Sequence, residues 1–364
     1  MKKLSKQEII DILHGCAVLG TGGGGNLEDG LAMMEEDFAQ GRDLSMVSLS
    51  ELPDDCFVAT PYCCGAPKGL DEEEDERFRK LPHLDYPPSL LAFRSLEEYI
   101  GEKFFAVSST ELGGANTAEA LHTACQLGLP IIDADPAGRS VPELQHSTYF
   151  VKNKAITPMT VATDFGEVII IKDVIDDFRA EDVVRAIAVA SGAMVGVTDH
   201  PMTGRDYKEA IIPDAITYAL KIGETLRETR MDGGRAVADA ISDKFNGKYL
   251  FHGKLKSASC EKQEGFNVGE ICLEGIEDFL RQEYIIRFKN ENIISYRDGE
   301  ADVVVPDLIC MLDRDGNPVT TPNFIDGMEM NIFALPAPEI WKTPDGIKCF
   351  GPEHFGLSAF YKEV

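Results

Sequence analysis

A chain of 364 residues with 44% apolar and 27% charged residues is long enough for two domains, each burying a core of its own. Its formal net charge of −27 repels phosphate backbones and anionic membranes, which argues against nucleic-acid and lipid-surface roles. No apolar run reaches a membrane span, MKKLSKQEII has no signal-peptide apolar core, and nine cysteines without C-x-x-C spacing lead us to expect a reduced, cytoplasmic protein.

Ser5 is placed to cap a helix over residues 6–19, in which Ile9, Ile10, Ile12, Leu13, Cys16, Ala17 and Leu19 share a face. Four glycines follow, and Asn26 can cap a second helix that ends near Gly41. LSMVSLSEL and CFVATPYCCG read as strands, and the charge run LDEEEDERFRK as an exposed loop or frayed helix. From residue 94 the rhythm is α/β: SLEEYIGEK helical, FFAVSST a strand, ANTAEALHTACQLG a helix, and LPIIDADPAGR a buried strand with polar residues at its carboxyl end. MTVATDF and EVIIIKDV form a hairpin around Gly166, close to a domain boundary. Residues 179–243 read as mostly helical. Beyond 247 the pattern is of strands, among them EYIIRFKNENIISYRDG with its Asn-Glu-Asn turn. The expected architecture is an N-terminal three-layer α/β domain with a mostly parallel sheet (residues 1–167). A C-terminal strand-rich α+β domain with a helical insertion (168–364) follows it.

Gly20, Gly22 and Gly25 satisfy G-x-G-x-x-G, but a dinucleotide fingerprint needs a buried strand before it, and residues 6–19 fit a helix better. A P-loop fits less well still, because Gly25 is followed by Asn26 and Leu27 instead of lysine and a hydroxyl residue. Amides of Gly22, Gly23, Gly24 and Gly25 ahead of a helix can instead hold a carboxylate, an imide oxygen or a developing oxyanion. The plainer alternative is a tight turn or close packing.

Glu111, Gly113, Gly114 and Asn116 follow one predicted strand, and Asp133, Asp135, Arg139, Glu143 and His146 follow the next. Both groups fall at carboxyl ends of strands, where α/β sheets bind ligands. Paired carboxylates with an arginine suit proton transfer and anion orientation. As plain structure, Asp135-Pro136 opens a turn, Asn116 caps a helix, and Arg139 and Glu143 form an i,i+4 pair. Cys63 and Cys64 end a strand, as a nucleophile if a neighbour lowers the thiol pKa, or as small buried hydrophobes. The seven histidines are scattered. Asp199-His200 with Asp164 offers mixed metal ligands that no spacing enforces.

The segments GTGGGGN, CCGAP, ELGGANT and DADPAGRSVPELQ resemble the N-terminal half of the DUF917, or S-methyl thiohydantoin desulfurase-like, family. VPDLICMLDRDGNPVTTPNFIDGMEMNIFALPAPEIWKTPDGI and the closing GPEHFG resemble its C-terminal half. The resemblance implies a cytoplasmic two-domain protein associated with hydantoinase/oxoprolinase systems, whose characterised activity removes methanethiol from an S-methylated thiohydantoin. Glu111, Asp133 or Asp135 would then be the general base, with Cys64 (or Cys63) as the covalent rival. Arg139 would anchor a carboxylate, and Asn116 with the Gly22–Gly25 amides would hold ring oxygens. Glu143 and His146 complete the substrate-binding set. The partners expected are a small ring substrate, a hydantoinase-type subunit and further copies of the chain. No organic cofactor is expected; a divalent metal stays open, with no ligand assigned. Where the family pattern leads us to expect an arginine in the closing motif, this chain has Glu353-His354. The rival readings are a non-catalytic subunit of a hydantoinase and a nicotinamide-dependent oxidoreductase.

Overall fold

The computed structural model describes residues 1–65, 76–192, 194–263 and 265–364. Ala66 and Pro67 of the CCGAP segment, and most of the acidic run that follows, lie outside the described residues; the end of that run, Glu76–Arg79, is helical.

In chain order the N-terminal half runs β1 (Lys2–Lys3), α1 (Lys6–Leu19), α2 (Leu27–Ala39), β2 (Ser45–Val47), β3 (Phe57–Gly65), α3 (Glu76–Arg79) and α4 (Pro88–Ile100). It continues with β4 (Phe104–Val107), α5 (Asn116–Leu127), β5 (Ile131–Ile132), β6 (Ala134–Asp135), α6 (Thr148–Val151), β7 (Met159–Ala162) and β8 (Val168–Ile171). Then come α7 (Asp177–Ala190), β9 (Met194–Thr203), α8 (Gly204–Ala210), β10 (Ile212–Pro213), α9 (Ala215–Thr229) and α10 (Gly234–Lys244). The rest is β11 (Lys248–Gln263), β12 (Phe266–Gly275), β13 (Glu283–Lys289), β14 (Glu291–Arg297), β15 (Glu300–Val304), β16 (Leu308–Asp313), β17 (Glu329–Leu335) and α11 (Pro344–Phe350).

Local sequence accounts for the helix starts. The Ser5 side chain accepts from Glu8 N, and Glu8 reaches back to the Ser5 amide at 2.8 Å, a reciprocal capping box. Asn26 Oδ1 accepts from Glu28 N at 2.9 Å and starts α2. Because α1 runs to Leu19, directly into the glycines, the strand that a dinucleotide fingerprint requires is absent.

The first sheet is ordered β1-β2-β5-β4-β3-β9-β7-β8. It is mixed where a mostly parallel sheet was expected: β2, β5, β4 and β3 run parallel, and the pairings on either side are antiparallel. The difference comes from β9, which residue patterning had assigned to a helical stretch. Its sequence MVGVTDHPMT carries Gly, Asp and Pro, all poor strand formers. It lies in mid-sheet with both faces covered, so no polar alternation marks it. Gly196 backs onto Pro88 and Ser89 at the start of α4, whereas Val195 and Val197 pack with Ala180, Val184 and Ala188 of α7 on the opposite face. Helices thus cover both faces of the sheet. Because β8 and β9 belong to it, the first sheet draws on residues beyond 167.

The second sheet is antiparallel throughout, in the order β15-β14-β13-β12-β11-β17-β16. It curls so that Asn292 Nδ2 reaches Ile309 O at 2.8 Å, across from β14 to β16. Helix α10 covers β11 and β17, and α9 lies along α1. That crossing is close because Gly15 faces the backbone of Ala219 and Gly223 faces the backbone of Asp11. One buried cluster runs through both halves, from Leu13 and Leu121 to Cys310 and Phe333. Among the described residues, no helix is long and apolar enough to cross a membrane.

Candidate active site

A cleft of about 500 Å³ opens between the carboxyl end of the first sheet and the hairpin turns of the second, a size suited to a small ring ligand. The glycine loop lines it, together with Glu111, Asn116, Glu143 and His146 from the predicted set. Gly22, Gly24 and Gly25 take positive φ values, as does Thr21 before them, and at the three glycines such backbone costs little. The loop's carbonyls are engaged: Gly24 O accepts from the amides of Ala115 and Asn116 at 3.1 Å each, and Gly22 O from Thr321 N at 2.7 Å. No described residue accepts from the amides of Gly24 and Gly25, which leaves two N–H donors for a ligand oxygen.

Beneath the loop lies a pair of buried carboxyls. The hydroxyl of Ser140 is 2.8 Å from Glu111 Oε2 and 3.0 Å from Glu291 Oε1. A hydroxyl carries one proton, so it donates to one carboxyl and accepts from the other, and the pair must retain a proton between them. Glu111 also accepts from Val141 N at 2.7 Å and from Asn116 Nδ2, which makes it the ionised member although burial pushes its pKa up. Glu291 is driven up to about 8 by burial and by the Glu111 charge, and its Oε2 has no hydrogen-bond partner. A Cβ on Gly23 would overlap this carboxyl, so that glycine is needed for close approach. Glu291 sits in the segment read from sequence as a plain Asn-Glu-Asn turn. The only sequence signal was an acidic residue starting an otherwise apolar strand.

A second proton-handling group stands on β9. His200 Nδ1 is 2.9 Å from Asp199 Oδ1, and Asp199 Oδ2 accepts from the Tyr62 hydroxyl at 2.6 Å. With Nδ1–H donated to a carboxylate, Nε2 carries the lone pair. Nε2 is buried and has no hydrogen-bond partner; Asp177 Oδ2 is 3.8 Å away, on a carboxyl that burial raises to about 6. The ring of Tyr149 backs the imidazole at 4.4 Å between centroids. His200 is held at φ 45°, a strained setting for a residue with a Cβ and one that clusters at functional sites. Asp199 and His200 both line the cleft. Sequence reading had offered them as metal ligands; the structure joins them to each other.

Glu143 and His146 meet His354 from the closing GPEHFG segment. The two Nε2 atoms are 2.8 Å apart, and Glu143 Oε2 is 3.5 Å from the His146 nitrogen and 3.8 Å from that of His354. Burial holds His146 down to about 3, so its ring is neutral.

Of the other predicted residues, Asp133, Asp135 and Arg139 do not reach the cleft. Asp133 is turned to α9, accepting from Thr217 N and Thr217 Oγ1 at 2.8 and 2.5 Å. Asp135 Oδ1 accepts from the amides of Ala137 and Gly138 at 2.8 and 2.6 Å, the turn that its sequence also allowed. Arg139 is fully buried and its guanidinium is consumed by Thr21 Oγ1, Ser140 O, Pro306 O and Asp307 O. It therefore ties the two halves together and does not meet a substrate carboxylate. Cys64 lines the cleft, but burial pushes its thiol up to about 12. Burial, with the nearby Glu119 charge, likewise raises Cys63. Neither thiol is activated as a nucleophile at neutral pH.

Fold and cleft together define a two-domain α/β protein with a polar site built from both halves. Residues 7–173 match the model of the S-Me-THD-like N-terminal domain, and residues 175–364 that of the S-Me-THD-like C-terminal domain. The chain belongs to the S-Me-THD-like family. No curated protein matches it. Over its whole length it is similar to the crystal structure of a protein from Chromobacterium violaceum, with 20% identity, complete coverage of both chains and a TM-score of 0.80. At that identity the likeness establishes the shared fold.

Proposed function

We propose that the chain is a hydrolase of a hydantoin-like or S-methyl thiohydantoin-like ring, with His200 as its general base. The observation that carries this reading is the buried Nε2 of His200, without a hydrogen-bond partner and with Asp199 on the opposite ring nitrogen, in a residue that lines a cleft of suitable size. Family membership supports the ring chemistry.

In the proposed reaction His200 Nε2 takes a proton from water as its oxygen bonds to the amidine-like ring carbon. The carbon–sulfur bond then breaks. Glu291, the protonated carboxyl, supplies the proton that the departing methanethiolate needs, and His200 returns its proton through the pair by way of solvent. The hydroxyl left on the carbon gives its proton to the ring nitrogen, so the ring ends with a carbonyl and an N–H where the C=N and S-methyl group stood. The free amides of Gly24 and Gly25, with Asn116, hold ring oxygens. The thiols of Cys63 and Cys64 take no part.

The test is methanethiol release by the isolated chain from an S-methyl thiohydantoin. Loss of a general base costs about 10²–10⁴-fold in turnover, so His200→Asn should fall by that factor while Cys64→Ser stays within twofold of the parent. Full activity in His200→Asn would overturn the assignment. Turnover only after adding a hydantoinase-type subunit would favour the subunit reading.

A further inference from the structure

The cluster of Glu143, His146 and His354 takes no part in the chemistry above, and its three ligand atoms converge within 4.8 Å of one another. We propose that Glu143, His146 and His354 form a binding site for a borderline divalent metal ion of the zinc type, with an open position facing the cleft.

Two imidazole nitrogens and one carboxylate oxygen are the donor set of open, three-ligand zinc sites. Tetrahedral bonds of ~2.1 Å place neighbouring ligand atoms ~3.4 Å apart. The separations of 3.5 and 3.8 Å from Glu143 Oε2 to the two nitrogens are already near that value. The nitrogen pair, at 2.8 Å, must open by about half an ångström to reach it. His354 can supply that movement, since its side chain is 19% exposed and comes from the irregular segment after α11.

The surroundings hold the other two ligands in place. The His146 ring is wedged between Phe350 and Phe355, at 4.9 and 5.6 Å between centroids. Lys289 Nζ takes Glu143 Oε1, and Gln145 Nε2 donates to Oε2, the oxygen turned to the imidazoles. Glu143 and His146 lie three residues apart in one turn, closed by His146 N to Glu143 O at 3.0 Å. The third ligand arrives from the far end of the chain, so the ion would bridge the two halves. Glu143 and His146 line the cleft, so a ligand oxygen or water in the fourth position would face the ring site.

The test titrates chelator-treated full-length chain with Zn²⁺ by calorimetry and with Co²⁺ by visible absorption. One ion per chain and the intense bands of four-coordinate Co²⁺ are expected. His354→Arg and His354→Gln, at a partly exposed position, should weaken Zn²⁺ binding by more than the ~10–100-fold that loss of an outer-shell partner costs. Glu143→Gln should do the same, and the Co²⁺ bands should vanish in all three. Equal affinity in the parent and the His354 variants would assign the binding to the diffuse acidic surface and overturn the proposal, as would no binding at all. Because the readout is ion binding and not turnover, failure here leaves the His200 reaction untouched. Conversely, an inactive chain that binds one Zn²⁺ keeps the site and rejects the ring reading.

Discussion

At the scale of single residues, the site rests on what each proton can do. Ser140 has one proton and two carboxyl neighbours, so Glu291 must stay protonated for the pair to be satisfied. Its folded pKa of about 8 lies above the ordinary value of 4.5. The folded state then binds more protons than the unfolded one between those two values, and stability falls as pH rises through that window. Above about 8 the loss is complete. Glu291→Gln, which cannot ionise, should flatten that decline, so its melting temperature should gain on the parent's between pH 5 and 9. The same substitution should lower methanethiol release, and in the parent turnover should fall above pH about 8 as Glu291 deprotonates. A variant whose melting temperature tracks the parent's at every pH would show that Glu291 does not hold the proton.

At the scale of elements, the glycine loop and the start of α5 interlock through backbone contact. A Cβ on Gly113 would collide with the Gly24 backbone, and one on Gly30 with that of Gly114. Gly24 O is also the acceptor for the first amides of α5. Gly113→Ala keeps an accessible backbone conformation, so its effect is steric; overpacking of this kind costs about 1–3 kcal/mol. We expect a lower denaturation midpoint with an unchanged far-ultraviolet spectrum. Turnover should fall by more than the stability loss explains, because the Gly24 and Gly25 amides move with the loop. Unaltered turnover would mean that the loop does not touch the substrate. The helix caps and most strands of both halves were readable from local pattern, as the Ser5 capping box and Asn26 show. Strand β9 was not, because a strand covered on both faces owes its conformation to its neighbours and not to its own alternation.

At the scale of the whole molecule, Arg139 is a buried residue that joins the halves. Its donors reach Thr21 beside the glycine loop and the carbonyls of Pro306 and Asp307 in the second half, while its ring-stacking partner is Phe350. Burial brings its pKa down to about 10, so it remains charged at neutral pH among Glu291, Asp307 and Glu111. Removing one partner from such a buried network costs about 3–5 kcal/mol. Arg139→Ala should therefore lower the denaturation midpoint by that order, and Arg139→Lys should recover only part of it, having lost the planar fork. Full recovery by lysine would reduce the role of Arg139 to charge alone.

The sequence by itself pointed to the two-part organisation, the helix caps, a helix where a dinucleotide fingerprint needs a strand, and four polar residues that line the cleft: Glu111, Asn116, Glu143 and His146. These follow from short-range rules of periodicity, capping and turn chemistry, which act within a few residues of chain. Only the tertiary structure decided that Asp133, Asp135 and Arg139 turn away from the cleft, that Glu291 and Asp199 with His200 belong to it, and that His354 meets His146 and Glu143. Whether a polar side chain serves a turn, a clamp or a cleft depends on which distant donor or acceptor lies across from it. Glu291 is 180 residues from Glu111, and His354 is 208 from His146; no local pattern carries that pairing.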